Sequence, residues 1–155
     1  MTPDDETFLR RAIALSQRAR QEGNHPFAAL VVDAAGALLC EALNSHCASP
    51  LEHAEMNALR LALSRARVAD LAAATLYSST EPCAMCAGGI YWSGIGRVVY
   101  GLSERRLLEL TGANLANPTL SLPCREIFQR GQRPVAVLGP LLEDEAAAAH
   151  RGFWK

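Results

Sequence analysis

The feature that most restricts the fold of this chain is an alternation of short apolar runs with amphipathic helical segments. Residues 4–22 place their apolar side chains on one helical stripe and end at Gly23, as an amphipathic helix does. Two apolar runs, FAALVVD and ALLCEALN, then flank residues 34–36, which predicts a β-hairpin. From there helices and strands alternate to the end, and this alternation predicts an α/β fold.

The later elements follow from the same two periodicities. Helices are predicted at 53–66, 83–92, 103–110 and 141–149, and strands at TLYSST, RVVYG and PVAVLG. Together they predict a three-layer α/β/α sandwich, in which a ligand site lies at the carboxyl ends of the strands. No repeat or linker divides the sequence, so we expect a single domain over residues 1–155.

Composition narrows the class of protein. Half of the 155 residues are hydrophobic, 20% are charged, and the formal net charge is −1, which is typical of a soluble globular protein. The acidic start lacks the order of a signal peptide, and no apolar run approaches the roughly 20 residues that span a bilayer. We therefore expect a cytoplasmic protein with no membrane partner. The five cysteines have no framework spacing, and in a reducing compartment they indicate metal binding, catalysis or packing.

Two short segments place metal-capable side chains at predicted helix starts, HAE at 53–55 and PCAMC at 82–86. The free N–H groups and positive dipole end of a helix start stabilise thiolates. Cysteines three apart share one face of a helical turn, so Cys83 and Cys86 can reach one ion. With the His53 nitrogen as third ligand, the fourth tetrahedral position is left to water, which is the arrangement of a catalytic zinc.

Glu55 lies two residues beyond His53, where its carboxylate can reach that water without binding the metal. There it can take a proton from the water and later return it to a leaving nitrogen. Zinc brings the pKa of the water from 15.7 toward about 7, so hydroxide is available at neutral pH. These residues predict hydrolytic loss of ammonia from a ring carbon that bears an amino group.

An H-x-E motif followed by P-C-x-x-C is the signature of zinc deaminases that act on cytosine or adenine rings. On this signature, and on the segments HPFAALVV, HAEMNALRLA, TLYSSTEPCAMCAGGIYWSGIGRVVYG and GPLLEDEAAAAHRGFW, the chain resembles the cytidine deaminase superfamily. Within it, the chain is most similar to the bacterial guanine and cytosine deaminases and the tRNA adenosine deaminases. The resemblance implies a central mixed five-stranded sheet, a Zn²⁺ cofactor, a homodimer, and hydrolysis of C–N bonds in cyclic amidines.

The resemblance also implies substrate contacts. Asn44 stands where the superfamily holds an Asn that pairs with the substrate, and an amide can both donate to and accept from a base. Phe27 and Trp92 match two aromatic residues that sandwich the flat base in guanine deaminases, and the backbone of Ala54 is expected against the ring edge. Each has an ordinary interpretation as well, a turn-forming Asn and aromatic side chains of the core.

The chain departs from the guanine deaminase pattern at one position. Counted without gaps from Cys86, the second acidic proton shuttle of those enzymes is Asn114 here, and an amide does not shuttle protons as a carboxylate does. Guanine is then accepted only if Glu104, Glu109 or Glu143 takes that role. We expect a free nucleobase or nucleoside as substrate, a purine such as guanine or a cytosine-like ring.

Two alternatives stay open. A tRNA adenosine deaminase gains affinity from Lys and Arg on phosphates, but this chain has one lysine, Lys155, and scattered arginines, of which 105, 106, 125 and 130 could gather in the fold. An inert deaminase-fold binding domain tends to lose the acid/base Glu or a ligand, and both are kept here. The C-terminal HRGFWK segment resembles one that closes an active site in relatives, either its own or a neighbour's.

Overall fold

A computed structural model describes all residues from 1 to 155. Its five strands are β1 (Ala28–Val32), β2 (Leu38–Leu43), β3 (Thr75–Thr80), β4 (Arg97–Leu102) and β5 (Ala136–Leu138). They form one sheet in the order β2-β1-β3-β4-β5. β1 runs antiparallel to both of its neighbours, whereas β3, β4 and β5 are parallel. The mixed five-stranded sheet is confirmed.

The helices are α1 (Pro3–Gln21), α2 (Ala54–Arg65), α3 (Val68–Leu71), α4 (Ala84–Ser93), α5 (Glu104–Thr111), α6 (Cys124–Gln129) and α7 (Glu143–Ala148). Five of them were predicted within a few residues of these bounds. The sequence prediction missed α3 and α6 because helices of 4 and 6 residues are too short to display a helical period. No helix of the chain combines the length and the apolar character needed to cross a membrane.

The sheet separates two hydrophobic cores. On one face α2, α4 and α6 bury side chains such as Ala58, Ile90 and Phe128, and on the other face α1, α5 and α7 bury their own. Strand β1 contributes to both, with Ala29 and Val31 in the first core and Leu30 and Val32 in the second, because successive strand side chains point to opposite faces. The three-layer sandwich is therefore confirmed.

The first helix is tied to the sheet by a buried ion pair. The carboxylate of Asp5 is 2% exposed and accepts hydrogen bonds from Arg97 at 2.7 and 3.0 Å and from the Tyr77 hydroxyl at 2.9 Å. Asp5 also completes a capping box with Thr2 at the start of α1. Its bond to Arg97 holds the pKa of this carboxyl well below the usual range. One acidic residue thus fixes α1 against both β3 and β4.

The cysteines outside the PCAMC segment differ in their surroundings. Cys40 and Cys124 are buried in the first core. Cys47 is exposed in the loop before α2, where its Sγ lies 3.2 Å from the Gly23 carbonyl oxygen. All five cysteines are free thiols.

Candidate active site

Two helix starts deliver the metal-capable side chains. His53 is the N-cap of α2 and Cys83 is the N-cap of α4, and neither side chain makes a capping hydrogen bond. Both are therefore free to turn toward the space between the helices. Gly89 faces that space, since a Cβ there would meet the Met56 sulfur at 2.6 Å. The absence of a side chain at this position lets α2 and α4 approach closely.

The three ligand atoms have the spacing of a tetrahedral zinc site. The His53 Nδ1 lies 3.5 Å from the Sγ of Cys83 and 3.5 Å from the Sγ of Cys86, and all three atoms fall within 4.8 Å of one another. Zinc bound at about 2.3 Å to sulfur and about 2.0 to 2.1 Å to nitrogen separates such ligands by about 3.6 Å. The residues fit a zinc ion, with Nδ1 as the histidine ligand.

The charges of this cluster are ordered before a metal binds. The proximity of Cys86, together with His53, lowers the pKa of Cys83 to about 4. The proximity of Cys83, followed by burial, raises the pKa of Cys86. Hydrogen bonding to Cys83 raises the pKa of His53. The cluster therefore holds a thiolate, which is the form in which cysteine binds metals.

Glu55 stands beside this cluster on the first turn of α2. It is 5% exposed, and its Oε1 accepts a hydrogen bond of 2.9 Å from the Ser78 hydroxyl on β3. Its Oε2 lies 3.5 Å from the Cys86 sulfur. Burial, and then the charge of Cys83, raises the pKa of this carboxyl. Glu55 is thus a proton-holding group fixed in orientation next to the three ligand atoms.

A narrow pocket of about 50 Å³ opens over Glu55, His53 and Cys83. Phe27 and Asn44 line it, and both were predicted near the substrate. The Asn44 Oδ1 accepts a hydrogen bond of 2.8 Å from the His46 N–H, which fixes the amide and leaves its nitrogen free to donate. The pocket therefore offers an aromatic wall and an amide donor close to the ligand cluster.

The structure does not bring three of the predicted substrate residues into this pocket. Trp92 is 83% exposed near the end of α4, where it contacts Tyr91 edge to face. Ala54 is fully buried at the first position of α2. Asn114 donates a hydrogen bond of 3.1 Å to the Lys155 carbonyl oxygen instead. The roles assigned to these residues stay predictions.

The three acids considered as substitutes for a second shuttle lie in different places. Only Glu104 lines the pocket. Glu109 is exposed on the outer side of α5, and the Glu143 carboxylate accepts hydrogen bonds from the backbone and hydroxyl of Ser103. Burial, followed by the charge of Cys83, raises the pKa of Glu104 to about 8. Of the three candidate acids, Glu104 is thus the one at the pocket.

Four other residues line the pocket and were not predicted from the sequence, Thr80, Glu81, Leu107 and Asn117. Thr80 ends β3 and Glu104 follows β4 after one residue, so both stand at the carboxyl ends of adjacent parallel strands. That is where ligands bind in α/β sheets, and this rule could have identified Thr80 and supported the choice of Glu104. Asn117 lies in the irregular segment between α5 and α6, where the sequence carries no comparable signal.

The C-terminal segment folds back on its own chain beside the pocket. The Trp154 indole N–H donates to His150 Nδ1 at 3.2 Å, and the ring of His150 lies 5.2 Å from that of Phe27. Arg20 holds the segment by hydrogen bonds of 2.9 and 2.7 Å to the carbonyl oxygens of Ala149 and Arg151. Within one chain, this segment therefore covers the outer side of a pocket wall.

A histidine and two cysteines at helix starts, with a buried glutamate beside them, define the site of a zinc-dependent deaminase. Residues 2–102 match the model of the cytidine and deoxycytidylate deaminase zinc-binding region. The chain belongs to that family.

Proteins named for different substrates are similar to this chain in sequence or in fold. A probable cytosine deaminase of Schizosaccharomyces pombe is 43% identical over 155 residues, which span 99% of this chain and 94% of that protein. A tRNA-specific adenosine deaminase of Haemophilus influenzae is 38% identical over 102 residues, which span 64% of this chain and 59% of that protein. The structure of guanine deaminase from Nitrosomonas europaea superposes with a TM-score of 0.79 at 26% identity, over 98% of this chain and 84% of that one.

Proposed function

We propose that this chain is an aminohydrolase of free nucleobases, with cytosine as the first candidate substrate and guanine as the second. The observation that carries the proposal is the buried Glu55 carboxyl, fixed by Ser78 beside the His53, Cys83 and Cys86 cluster. Cytosine comes first because the S. pombe relative matches this chain over 94% of its own length.

The residues divide the chemistry between them. His53, Cys83 and Cys86 would hold the zinc ion, which when bound supplies a Lewis acid that lowers the pKa of water toward about 7. Glu55 takes the proton of the attacking water and delivers it to the exocyclic nitrogen. A C–O bond forms, the C–N bond breaks, and ammonia leaves. Because Ser78 binds one carboxyl oxygen, the other oxygen carries the proton in both steps.

The pocket walls orient the ring for this reaction. Phe27 packs against the flat base, and stacking of this kind needs only a π-face. The Asn44 amide nitrogen donates to a ring acceptor such as the carbonyl oxygen of cytosine. The backbone of Ala54 is proposed to face the reacting edge, as the family resemblance implies.

We further propose that the protein is a cytoplasmic homodimer in which α4 lies near the interface. Trp92 supports this proposal, because the residue is 83% exposed and tryptophan is enriched at protein interfaces. In this arrangement Trp92 and Asn114 are candidates for contacts that a single chain leaves incomplete.

The arginines argue against a tRNA substrate. Of the four considered for a phosphate-binding surface, Arg106 forms ion pairs with Glu143 and Asp144. Arg125 donates to the Tyr100 hydroxyl and to carbonyl oxygens at the end of β5. Only two arginines of the set remain for phosphates, whereas tRNA binding draws on many such contacts.

The test is ammonia release by the purified, zinc-loaded protein across a substrate panel. The panel contains cytosine, guanine, adenine, their nucleosides, amino-pterins, amino-triazines and a tRNA anticodon stem-loop. We expect the highest kcat/KM for cytosine or guanine. Absence of ammonia from every base and nucleoside, in a protein with stoichiometric zinc, would overturn the proposal, and turnover restricted to the stem-loop would establish the tRNA alternative.

A further inference from the structure

Two polar groups of the pocket have no partner within the protein. Three buried side-chain atoms of the chain make no hydrogen bond, Thr80 Oγ1, Glu104 Oε2 and His150 Nε2. The first two line the same pocket, above the ligand cluster. Buried polar atoms are nearly always paired in folded proteins, so two unpaired atoms in one pocket indicate that a ligand completes them.

Glu104 is held in this position by its backbone. The residue is 7% exposed at the start of α5, and its N–H donates a 3.0 Å hydrogen bond to Glu81. The other oxygen of Glu81 accepts from the Cys124 N–H at 3.1 Å. Both oxygens of Glu81 are therefore used in holding the protein together. Of the two neighbouring acids, Glu104 is the one whose carboxyl is available to a substrate.

Glu104 also lies at the junction of two cavities. The inner pocket shares His53, Cys83, Glu104 and Asn117 with an outer cavity of about 320 Å³. The inner pocket, at about 50 Å³, is small enough that the remainder of a bound substrate must extend toward the outer one. Glu104 therefore faces the part of the substrate that lies between the reacting edge and the outer cavity.

The chemistry of a carboxyl group selects what can lie there. In either protonation state one of its oxygens accepts a hydrogen bond from an N–H group. A free base offers a ring N–H at the nitrogen that carries ribose in a nucleoside, N1 of cytosine or N9 of guanine. A nucleoside has no hydrogen at that nitrogen, and it would leave the Glu104 carboxyl unpaired in the pocket, which is costly.

We propose that Glu104 is a specificity-determining residue that binds the ring N–H of a free base and thereby discriminates against the corresponding nucleoside. The inference rests on the proposed aminohydrolase function and identifies the form of its substrate. Discrimination of this kind is strong because rejection comes from a buried polar group left without its partner.

The test compares a base with its methyl derivative at the same nitrogen. The pairs are cytosine with 1-methylcytosine and guanine with 9-methylguanine, because a methyl group removes the N–H without the bulk of ribose. We expect wild-type protein to prefer the unmethylated base in kcat/KM. Glu104→Leu should lower kcat/KM for the base by roughly 3- to 10-fold, since a hydrogen bond is lost only with the base, and should raise it for the methylated base, since no buried carboxyl is then left unpaired.

Two further variants separate recognition from folding. Glu104→Gln keeps an oxygen acceptor at the same place and should retain most of the preference. Glu109→Leu removes an exposed acid of the same helix and should change neither rate. Binding of the deaminated product and its methyl derivative, measured by calorimetry, should follow the same pattern without turnover.

Equal loss of both rates in Glu104→Leu would overturn the proposal in favour of a proton-transfer or structural role. An unchanged preference would also overturn it. Failure of the aminohydrolase function itself is distinguishable, because wild-type protein would then release no ammonia from any base and would bind the product and its methyl derivative equally.

Discussion

Replacement of Glu55 by Gln is the most direct test of the chemistry. The amide has nearly the same shape as the carboxyl, and its oxygen can still accept the 2.9 Å hydrogen bond from Ser78. Its nitrogen would occupy the place of Oε2, which lies 3.5 Å from the Cys86 sulfur. An amide neither takes nor returns a proton at neutral pH. The variant therefore removes proton transfer and keeps the shape of the site.

The structure gives the size and sign of two effects. General acid–base catalysis contributes roughly 100- to 10,000-fold to a rate. The upper part of that range is expected because one carboxyl acts in both transfers, and kcat should fall by about 1,000-fold or more. Stability should change in the opposite direction. Burial raises the pKa of Glu55, so its ionised form costs stability at neutral pH, and Gln removes that cost. The metal-free variant should unfold at the same temperature as wild-type protein or higher.

The assay combines ammonia release on the best base with zinc analysis and thermal unfolding of the same preparations. Glu109→Gln is the matched control, since it removes one exposed carboxyl and should leave kcat, zinc content and unfolding temperature unchanged. A Glu55→Gln protein that retains wild-type turnover would refute the assignment of the proton shuttle. Loss of zinc from this variant would also refute that assignment, because it would indicate that Glu55 is a metal ligand.

Three further predictions concern the metal, the helix anchor and the C-terminal segment. Cys83→Ala should lose stoichiometric zinc, because it removes the thiolate of the cluster, and zinc retained at one ion per chain would exclude Cys83 as a ligand. Asp5→Asn should destabilise the fold by about 3 kcal/mol, since Arg97 loses its charged partner, and this lowers the unfolding temperature by roughly 6 to 12 °C. The depressed pKa of Asp5 stabilises the fold above the unfolded value of 3.8, and this stability is lost below it. The variant should therefore lose less stability than wild-type protein as the pH falls through this range, and an unchanged dependence of stability on acid pH would contradict this. Burial lowers the pKa of His150 from 6.5 to about 4, so the packed, neutral form loses stability as the pH falls from 6.5 toward 4. In a Trp92→Phe variant, the fluorescence of Trp154 should report loosening of the C-terminal segment in that pH range. A fluorescence signal that does not depend on pH would contradict this prediction.

The sequence predicted the parts of the site that depend on local geometry. Cys83 and Cys86 lie within one helical turn at the start of α4, and His53 and Glu55 lie together at the start of α2, so short-range spacing was sufficient to group each pair. Asn114 was assigned by counting through an irregular segment, where spacing holds no information about position. The pocket asparagine in that segment is Asn117.

Long-range partners were beyond the reach of the sequence. Asp5 and Arg97 are 92 residues apart, and nothing in either local pattern pairs an N-terminal helix acid with a strand arginine. Glu104 was named only as one of three candidate acids, because the choice among Glu104, Glu109 and Glu143 depends on which way each helix turns its face. The sheet order resolves that choice, since Glu104 follows the strand next to β3.

The division of the metal ligands between two helix starts has a consequence for how the protein persists in a cell. His53 is 30 residues from Cys83, so an unfolded chain holds at most the two cysteines near each other and binds zinc weakly. An ion that binds the native state far better than the unfolded one stabilises it by an amount that grows with the logarithm of free ion concentration. The lifetime and abundance of this protein should therefore vary with the concentration of free zinc around it, even where no substrate is present.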